Sequence, residues 1–485
     1  MLLTLVALYL AVTIAIGLVA ARRVKNTADF VVAGRSLPLI MIVTTTFATW
    51  FGSETVLGIP AKFVEGGLGS VIEDPFGAGS CLILVGLFFA AKLYRMQLFT
   101  LSDYYRERYG RVVEVVCALL ILLSYLGWVS AQVTALGLVF HLLSGGAIGI
   151  SLGMAIGVLT ILAYTLAGGM WSVAVTDFMQ MLILVAGLGI LAYYAANLAG
   201  GADQVFALAT SRDLFRFWPE PKFHDIVFFF AAAITMMLGS IPQQDVFQRV
   251  MSAHSESAAV KGPVLGGAFY ILFAFVPMFL VTSALIIMPE QAAALLKDDP
   301  QKILPTLVLE HMPFFMQVLF FGALISAVMS TASATLLAPS VTFTENIWRQ
   351  FRPRSDDASE LRTMRITVLV LAGCVLLYAI RMRGTPIYEL VSGAYQVTLV
   401  GAFVPLVCGL YWQRATTQGA IAAIASGIAV WLLFTNTPLG VAFPAQLAGV
   451  LAAAFAMGVG SLGPQWIPNT TAPRRAFTQG TTEPG

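Results

Sequence analysis

Charge is scarce in this sequence. Of 485 residues only 27 are Lys or Arg and 25 are Asp or Glu, 11% of the chain, where soluble domains carry roughly a quarter. That scarcity excludes a soluble globular domain, and a formal net charge of +2 offers no field for nucleic acid as a partner. Cysteine is as sparse. Cys81, Cys117, Cys374 and Cys408 all fall in apolar runs, with no CxxC pair and no histidine at metal spacing, so they read as small core residues. The histidines, His141, His224, His254 and His311, are scattered near the ends of apolar runs. No Ser/His/Asp or metal spacing emerges from them, and the chain is not expected to be an enzyme. Long hydrophilic stretches are missing too: the gaps at 200–224, 289–304 and 348–362 are too short to build a core.

What is abundant is apolar sequence, 58% of the chain, with a mean hydropathy of +0.85. A helix needs about 20 mostly apolar residues to cross a bilayer. On that rule thirteen transmembrane helices are expected, beginning near residues 2, 38, 69, 111, 147, 177, 225, 264, 305, 363, 387, 417 and 443. The first run is followed by Arg22 and Arg23 instead of a small-residue cleavage site, so it is expected to be retained as a helix. With the N-terminus outside and the C-terminus cytoplasmic, 19 of the 27 basic residues fall on the cytoplasmic side, the arrangement that the positive-inside bias favours. The expectation is thus an all-α membrane protein with a single transmembrane domain over 1–463, placed in the plasma membrane. The stretch 464–485, rich in Pro, Thr and Gly, reads as a disordered cytoplasmic tail.

Transporters built from inverted repeats bind their cargo where matching helices of the two halves unwind, so paired Gly/Pro interruptions inside spans are the feature to seek. Two occur. In the second span the run Thr44-Thr45-Thr46-Phe47-Ala48-Thr49-Trp50-Phe51-Gly52-Ser53-Glu54-Thr55 places hydroxyls, a glycine and an acid at mid-depth. In the seventh, Leu238-Gly239-Ser240-Ile241-Pro242-Gln243-Gln244-Asp245 does the same. These open two successive five-helix blocks, about 38–199 and 225–412. Glycine and proline are also tolerated in membrane helices for packing alone, but matched position and matched polarity favour a binding role. A third polar cluster, Ser326 to Ser333, supports two readings: close packing of small residues, or an oxygen cage in which Ser330 and Thr331 join unwound carbonyls at Ala48 and Phe51 around a hard monovalent cation.

Ionisable residues inside spans are costly and functional by default. Glu54, Glu73, Asp74, Asp177 and Asp245 are of this kind. Asp177 opens the sixth expected span, where helix capping and a place on an ion path are both open readings. Glu114 and Glu389, close to span ends, read as interfacial.

With these residues assembled, the chain resembles the sodium/solute symporter family. The likeness runs from about residue 1 to 463. Three motifs carry it: Asp29-Phe30-Val31-Val32-Ala33-Gly34-Arg35-Ser36-Leu37-Pro38, Gly168-Gly169-Met170-Trp171-Ser172 through Thr176-Asp177-Phe178-Met179-Gln180, and Ala327-Val328-Met329-Ser330-Thr331. The resemblance implies a LeuT-type core of two inverted five-helix repeats with one extra N-terminal and two extra C-terminal helices. It implies a sodium ion as coupling ion, held by backbone oxygens of Ala48, Phe51 and Ala327 with the hydroxyls of Ser330 and Thr331, and it places Asp177 on that ion's cytoplasmic exit path.

Within the family the choline-transporter branch is similar at Thr46 to Trp50 and at Ile241 to Val250. That branch resembles an aromatic box around a quaternary ammonium, which cation–π attraction suits. Trp50 and Trp128 fall on box positions here, whereas Gln243 replaces a tryptophan and Ala78 a tyrosine. Two lost aromatic faces at roughly 0.5–2 kcal/mol each weaken a choline-like cation by about 5-fold to about 1000-fold. With Gln243, Gln244 and Glu54 in the opposed breaks, the expected cargo is a small organic solute with hydrogen-bonding groups: a choline-like amine, an amino acid or another small polar solute. The expected activity is sodium-coupled symport into the cell by alternating access. A proton-coupled carrier using Glu54 or Glu73 and a transport-silent solute sensor on the same fold are the alternatives, and the oligomeric state is not legible.

Overall fold

The computed structural model describes residues 1–351 and 356–469, and over these the chain is helical, with no strand beyond a single bridge between Leu37 and Ala253. Residues 470–485 of the expected tail lie outside the described residues. We number the long helices and the halves of the broken ones: α1 Leu2–Ala21, α2 Leu39–Trp50, α3 Ile59–Ser70 and α4 Ile72–Met96. Then come α5 Leu101–Tyr109, α6 Arg111–Leu143, α7 Ile150–Leu198, α8 Phe223–Gly239 and α9 Gln244–Ser252. The remainder are α10 Glu256–Ile287, α11 Phe314–Gln350, α12 Ala358–Arg381, α13 Ile387–Tyr411, α14 Thr417–Thr435 and α15 Ala445–Leu462. Among the described residues ten helices are long and apolar enough to cross a membrane, or up to eleven when α8 and α9, bent by 46° across their break, count as one.

The breaks fall where the sequence interrupts itself. α2 ends because Phe51 leaves helical geometry at φ −87°, ψ 71°, and the chain resumes through a wide π-type turn at Glu54–Gly58 before α3. Helix ends strand backbone carbonyls without intrahelical donors, so this break brings unsatisfied polar backbone into the buried interior. α8 stops at the Gly239-Ser240-Ile241-Pro242 run, and α9 restarts after Gln243 in extended backbone. α7 runs for 49 residues with an elbow at Gly169, whose φ of 48° and ψ of −137° only glycine holds without strain.

Helices meet closely where small residues let backbones approach. A Cβ on Gly137 of α6 would lie 2.8 Å from the Ile150 carbonyl of α7, and one on Gly187 would lie 3.2 Å from Ala323 of α11. α1 docks on the same bundle through Tyr9, whose hydroxyl pairs with that of Ser326 on α11. The result is a polar centre formed by α2, α6, α7, α9 and α11. Glu114, expected at the interface, is instead 1% exposed and takes a 2.9 Å hydrogen bond from Asn346, because α6 begins beneath α5 and the end of α11.

Candidate functional site

At the break of the second span, the Ala48 carbonyl lies 3.0 Å from Ser330 Oγ and 3.4 Å from Thr331 Oγ1, both hydroxyls being in position to donate to it. Ser330 Oγ is also 2.6 Å from Asp177 Oδ1, and the Thr45 hydroxyl donates to the other carboxylate oxygen of Asp177. Three helices that share no sequence neighbourhood are thereby tied at one point: α2 by Thr45 and Ala48, α7 by Asp177, α11 by Ser330 and Thr331. Every one of these residues is at most 3% exposed. Phe51 lies one turn beyond Ala48, and Ala327 one turn before Ser330 and Thr331. By helical spacing Ala327 shares the face on which Ser330 and Thr331 sit, whereas Phe51 is the residue at which α2 leaves helical geometry.

Ser330 carries one hydroxyl proton and faces two acceptors. When it donates to Asp177, its lone pairs and the Ala48 carbonyl are released together to a third party. Carbonyl, hydroxyl and carboxylate oxygens are the donor set of a hard cation. Asp177 does not cap a helix: it lies in mid-course of α7, two turns beyond the Gly169 elbow, and both its oxygens accept from side-chain hydroxyls.

The opposed break builds a second layer. Trp50 and Trp128 meet edge to face with centroids 5.7 Å apart, Tyr395 stacks on Trp50 at 6.0 Å and Tyr125 on Trp128 at 6.0 Å. Each indole N–H is fixed by an acid, Trp50 by Asp245 at 3.2 Å and Trp128 by Glu54 at 3.0 Å. Asp245 accepts a further 2.5 Å bond from Tyr125. Glu54 also accepts a 2.6 Å bond from Gln132 Nε2, while Gln132 Oε1 takes the Ser53 N–H at 2.9 Å.

The amides of the second break separate. Gln243 donates to Ser124 at 2.9 Å and leaves its Oε1 buried without a partner, beside the aromatic layer. Gln244 turns away: it bonds the Leu101 N–H at 2.8 Å and the Phe99 carbonyl at 3.1 Å, and so ties α9 to the start of α5. Ala78 is fully buried at the third span and adds no polar group. Gln132, Tyr125 and Tyr395 are absent from the sequence-based site. A lone amide in the 33-residue apolar run of α6 was the signal that would have found Gln132, since polar groups in spans are costly.

Above the break, Asp74 accepts a 2.5 Å bond from Tyr270, which also lies 2.9 Å from the Thr55 hydroxyl. A cavity of about 470 Å³ lined by Lys62, Glu65, Asp299, Lys302, Arg383 and Tyr388 opens near this acidic stretch.

A profile of the "Sodium:solute symporter family" matches residues 30–427. The chain is 27% identical over 442 residues to the high affinity choline transporter 1 of Homo sapiens, covering 88% of this chain and 75% of that one. It is 23% identical over 488 residues to the sodium/glucose cotransporter of Vibrio parahaemolyticus, covering 91% of this chain and 86% of that one. Among solved structures, a Na+-coupled sialic acid symporter in a substrate-bound outward-open state aligns with a TM-score of 0.81 at 20% identity, covering 95% of this chain and 97% of that one. MhsT in complex with L-phenylalanine aligns with a TM-score of 0.55 at 13% identity, covering 87% of this chain and 97% of that one. The structural likenesses set the fold as LeuT-type, and the relatives are transporters. A family match spanning most of the sequence, on a helical bundle with broken helices at its centre, leads to one conclusion: the chain belongs to the sodium:solute symporter family.

Proposed function

We propose that this protein carries a small organic solute into the cell together with sodium, by alternating access. The observation that carries the reading is the junction of Ala48, Ser330, Thr331 and Asp177, which gathers hard oxygen donors from three helices at a helix break. Sodium entering there draws Ser330 Oγ and the Ala48 carbonyl toward itself, Phe51 and Ala327 add their carbonyls, and Asp177 accepts the hydrogen bond of the Ser330 hydroxyl and offers the ion its route to the cytoplasm. Binding of the ion joins α2 to α11 and favours the outward-open arrangement. The solute follows into the layer of Trp50, Trp128, Gln243 and Glu54, and rocking of the bundle releases both inward. A choline-like amine, an amino acid or another small polar solute suits this mixed lining.

One sodium moving down a membrane potential of ~100 mV gains roughly 2.3 kcal/mol, and a tenfold gradient adds about 1.4 kcal/mol. Together these concentrate a neutral solute roughly several hundred-fold, so one ion suffices to drive uptake.

The same reading counts thirteen crossings. A straight helix of 49 residues would be about 70 Å long, twice a hydrocarbon core, so α7 is read as two crossings joined at Gly169. α2 with α3 and α8 with α9 are each one broken crossing. The inverted five-helix repeats then run over about 38–199 and 225–412, and the basic residues place the N-terminus outside and the C-terminus in the cytoplasm of a plasma membrane.

The test is uptake into proteoliposomes from a panel of choline, betaine, proline, sugars and small carboxylates, with and without a sodium gradient. A solute accumulated only with sodium, by wild type and not by the Ser330→Ala, Thr331→Ala double variant, supports the reading. Accumulation driven by a proton gradient alone would replace it with proton coupling, and sodium-dependent binding without accumulation would replace it with a sensor.

A further inference from the structure

α9 is a polar helix with no exposed side. Every residue from Gln244 to Ser252 is buried, among them Asp245, Gln248 and Arg249, and a buried charge is costly unless it is paired. Arg249 is not. It is 1% exposed, Nη1 donates to the Asp245 carbonyl at 2.7 Å, and Nε and Nη2 are buried without a hydrogen-bond partner. Among the described residues it forms no ion pair. A guanidinium is not deprotonated in proteins, so a fixed positive charge is held in the interior with one edge bare. Nε and Nη2 form the planar fork that takes a carboxylate through two parallel bonds.

Two acids lie within electrostatic reach of that fork, Asp245 and Asp177. Asp245 belongs to the aromatic layer: one of its oxygens holds the Trp50 indole and the other the Tyr125 hydroxyl. Asp177 stands elsewhere, on α7, where both its oxygens accept from the neutral hydroxyls of Thr45 and Ser330. No opposite charge touches it. A bare carboxylate and a bare guanidinium therefore share the same buried centre, each costly alone, and pairing them offsets part of both costs. Sodium in the Ala48 cage supplies positive charge beside Ser330 and so beside Asp177. Once that ion has gone, Arg249 is the nearby charge able to replace it.

We infer that Arg249 is the counter-charge that takes Asp177 when sodium leaves, so that the ion and the guanidinium fork are alternative partners of one carboxylate. With sodium in place, the second cation is kept off. When sodium departs toward the cytoplasm, the fork closes on Asp177. The empty carrier then returns without a bare charge in its core, and the pair opposes rebinding of the ion from the cytoplasmic side. The higher sodium concentration outside displaces the arginine and starts the next cycle. This inference rests on the sodium reading of the Ala48 cage, and the experiment separates the two.

The experiment is a sodium titration of the melting temperature of the purified full chain, with sodium chloride replacing potassium chloride at constant ionic strength and no solute present. Arg249→Met removes the charge and keeps an apolar stem, Arg249→Gln removes the charge and keeps an amide, and either decides if the other does not fold. Removing the competitor should raise the apparent sodium affinity on the order of 10-fold or more in both. Arg249→Lys keeps the charge and should stay closer to wild type. In an Asp177→Asn background, Arg249→Met should leave the midpoint where Asp177→Asn alone puts it. Unchanged or weakened sodium affinity in the uncharged variants overturns the inference and leaves the proposed symport intact. A full rise that persists in the Asp177→Asn background also overturns it, because Arg249 then repels the ion through space without exchanging partners. A wild-type chain with no sodium dependence at all overturns both this inference and the symport.

Discussion

Asp177 and Ser330, 153 positions apart, are joined by a 2.6 Å hydrogen bond in which the hydroxyl donates to the carboxylate. The bond links α7 to α11 beside the break of the second span and makes the position of one hydroxyl depend on a charge carried by another helix. Asp177→Asn keeps an acceptor oxygen but removes the charge that holds the Ser330 and Thr45 hydroxyl protons. A charge-assisted bond is roughly twice as strong as a neutral one. The apparent sodium affinity should therefore fall about 10-fold, or about 1.4 kcal/mol, while the protein still folds. Sodium titration of the melting temperature measures it, and an unchanged titration midpoint removes Asp177 from the ion's surroundings.

Gly52→Ala tests how tightly the break is built. The added methyl would stand 2.7 Å from Glu54 Oε2 and Thr331 Oγ1, closer than such atoms approach without displacement, at a cost of about 1–3 kcal/mol. Sodium-stimulated uptake should be lost along with that stability. Gly322 on α11 is the control, since a Cβ there meets nothing within 4 Å, and Gly322→Ala should change neither quantity appreciably. If Gly52→Ala melts and transports like wild type, the break rearranges freely and its geometry does not set ion binding.

Much of this arrangement was legible in the sequence, and the reasons differ by residue. The Thr44 to Thr55 run announces itself because hydroxyls, glycine and an acid are costly in a span, and the structure buries them at the break of α2. Ala327 stands three and four residues before Ser330 and Thr331 on one helix, so the face it shares with each follows from spacing alone. The sequence alone puts Asp177 at a helix start, whereas the structure sets it within the 49-residue α7, whose elbow at Gly169 lies eight residues earlier than the expected boundary. Partners across helices were not legible. Nothing in the chain order ties Gln132 to Glu54 or Tyr125 to Asp245, because such contacts depend on how helices rotate against one another.

Gln244 shows the opposite failure and gives a prediction. Adjacent amides in a break invite a common role, yet Gln243 stands in extended backbone while Gln244 opens the helix, and only Gln243 remains beside the aromatic layer. Gln244 is spent on the Leu101 N–H and the Phe99 carbonyl. Gln244→Ala leaves the buried Leu101 N–H unpaired and removes one bond to the Phe99 carbonyl, and should cost about 1–3 kcal/mol, seen as a lower melting temperature. Gln243→Ala should alter solute selectivity in the uptake panel with a smaller stability change, as its Oε1 is already unpaired. The reverse pattern would exchange the two assignments.

If Asp177 serves the proposed ion site, the elbow at Gly169 should tie folding to ion binding, and that coupling can be measured. Its φ of 48° and ψ of −137° lie in a region reserved for glycine, and a Cβ there would stand 2.4 Å from the Phe30 carbonyl. Gly169→Ala must therefore straighten the elbow or push away the short helix Thr27–Val32 that precedes α2, at a cost of about 2–4 kcal/mol. Either response moves Asp177, two turns further along α7, relative to Ser330 and Thr45, whose bonds to it have little slack. Gly169→Ala is thus expected to lower the melting temperature and also to weaken sodium-dependent stabilisation. Gly189→Ala on the same helix adds a methyl that meets nothing within 4 Å, and alanine is the better helix former by about 1 kcal/mol, so it should leave both readouts near wild type or slightly raise stability. A Gly169→Ala protein that melts early but keeps its sodium midpoint would show that Asp177 is held by its own hydrogen bonds and not by the elbow.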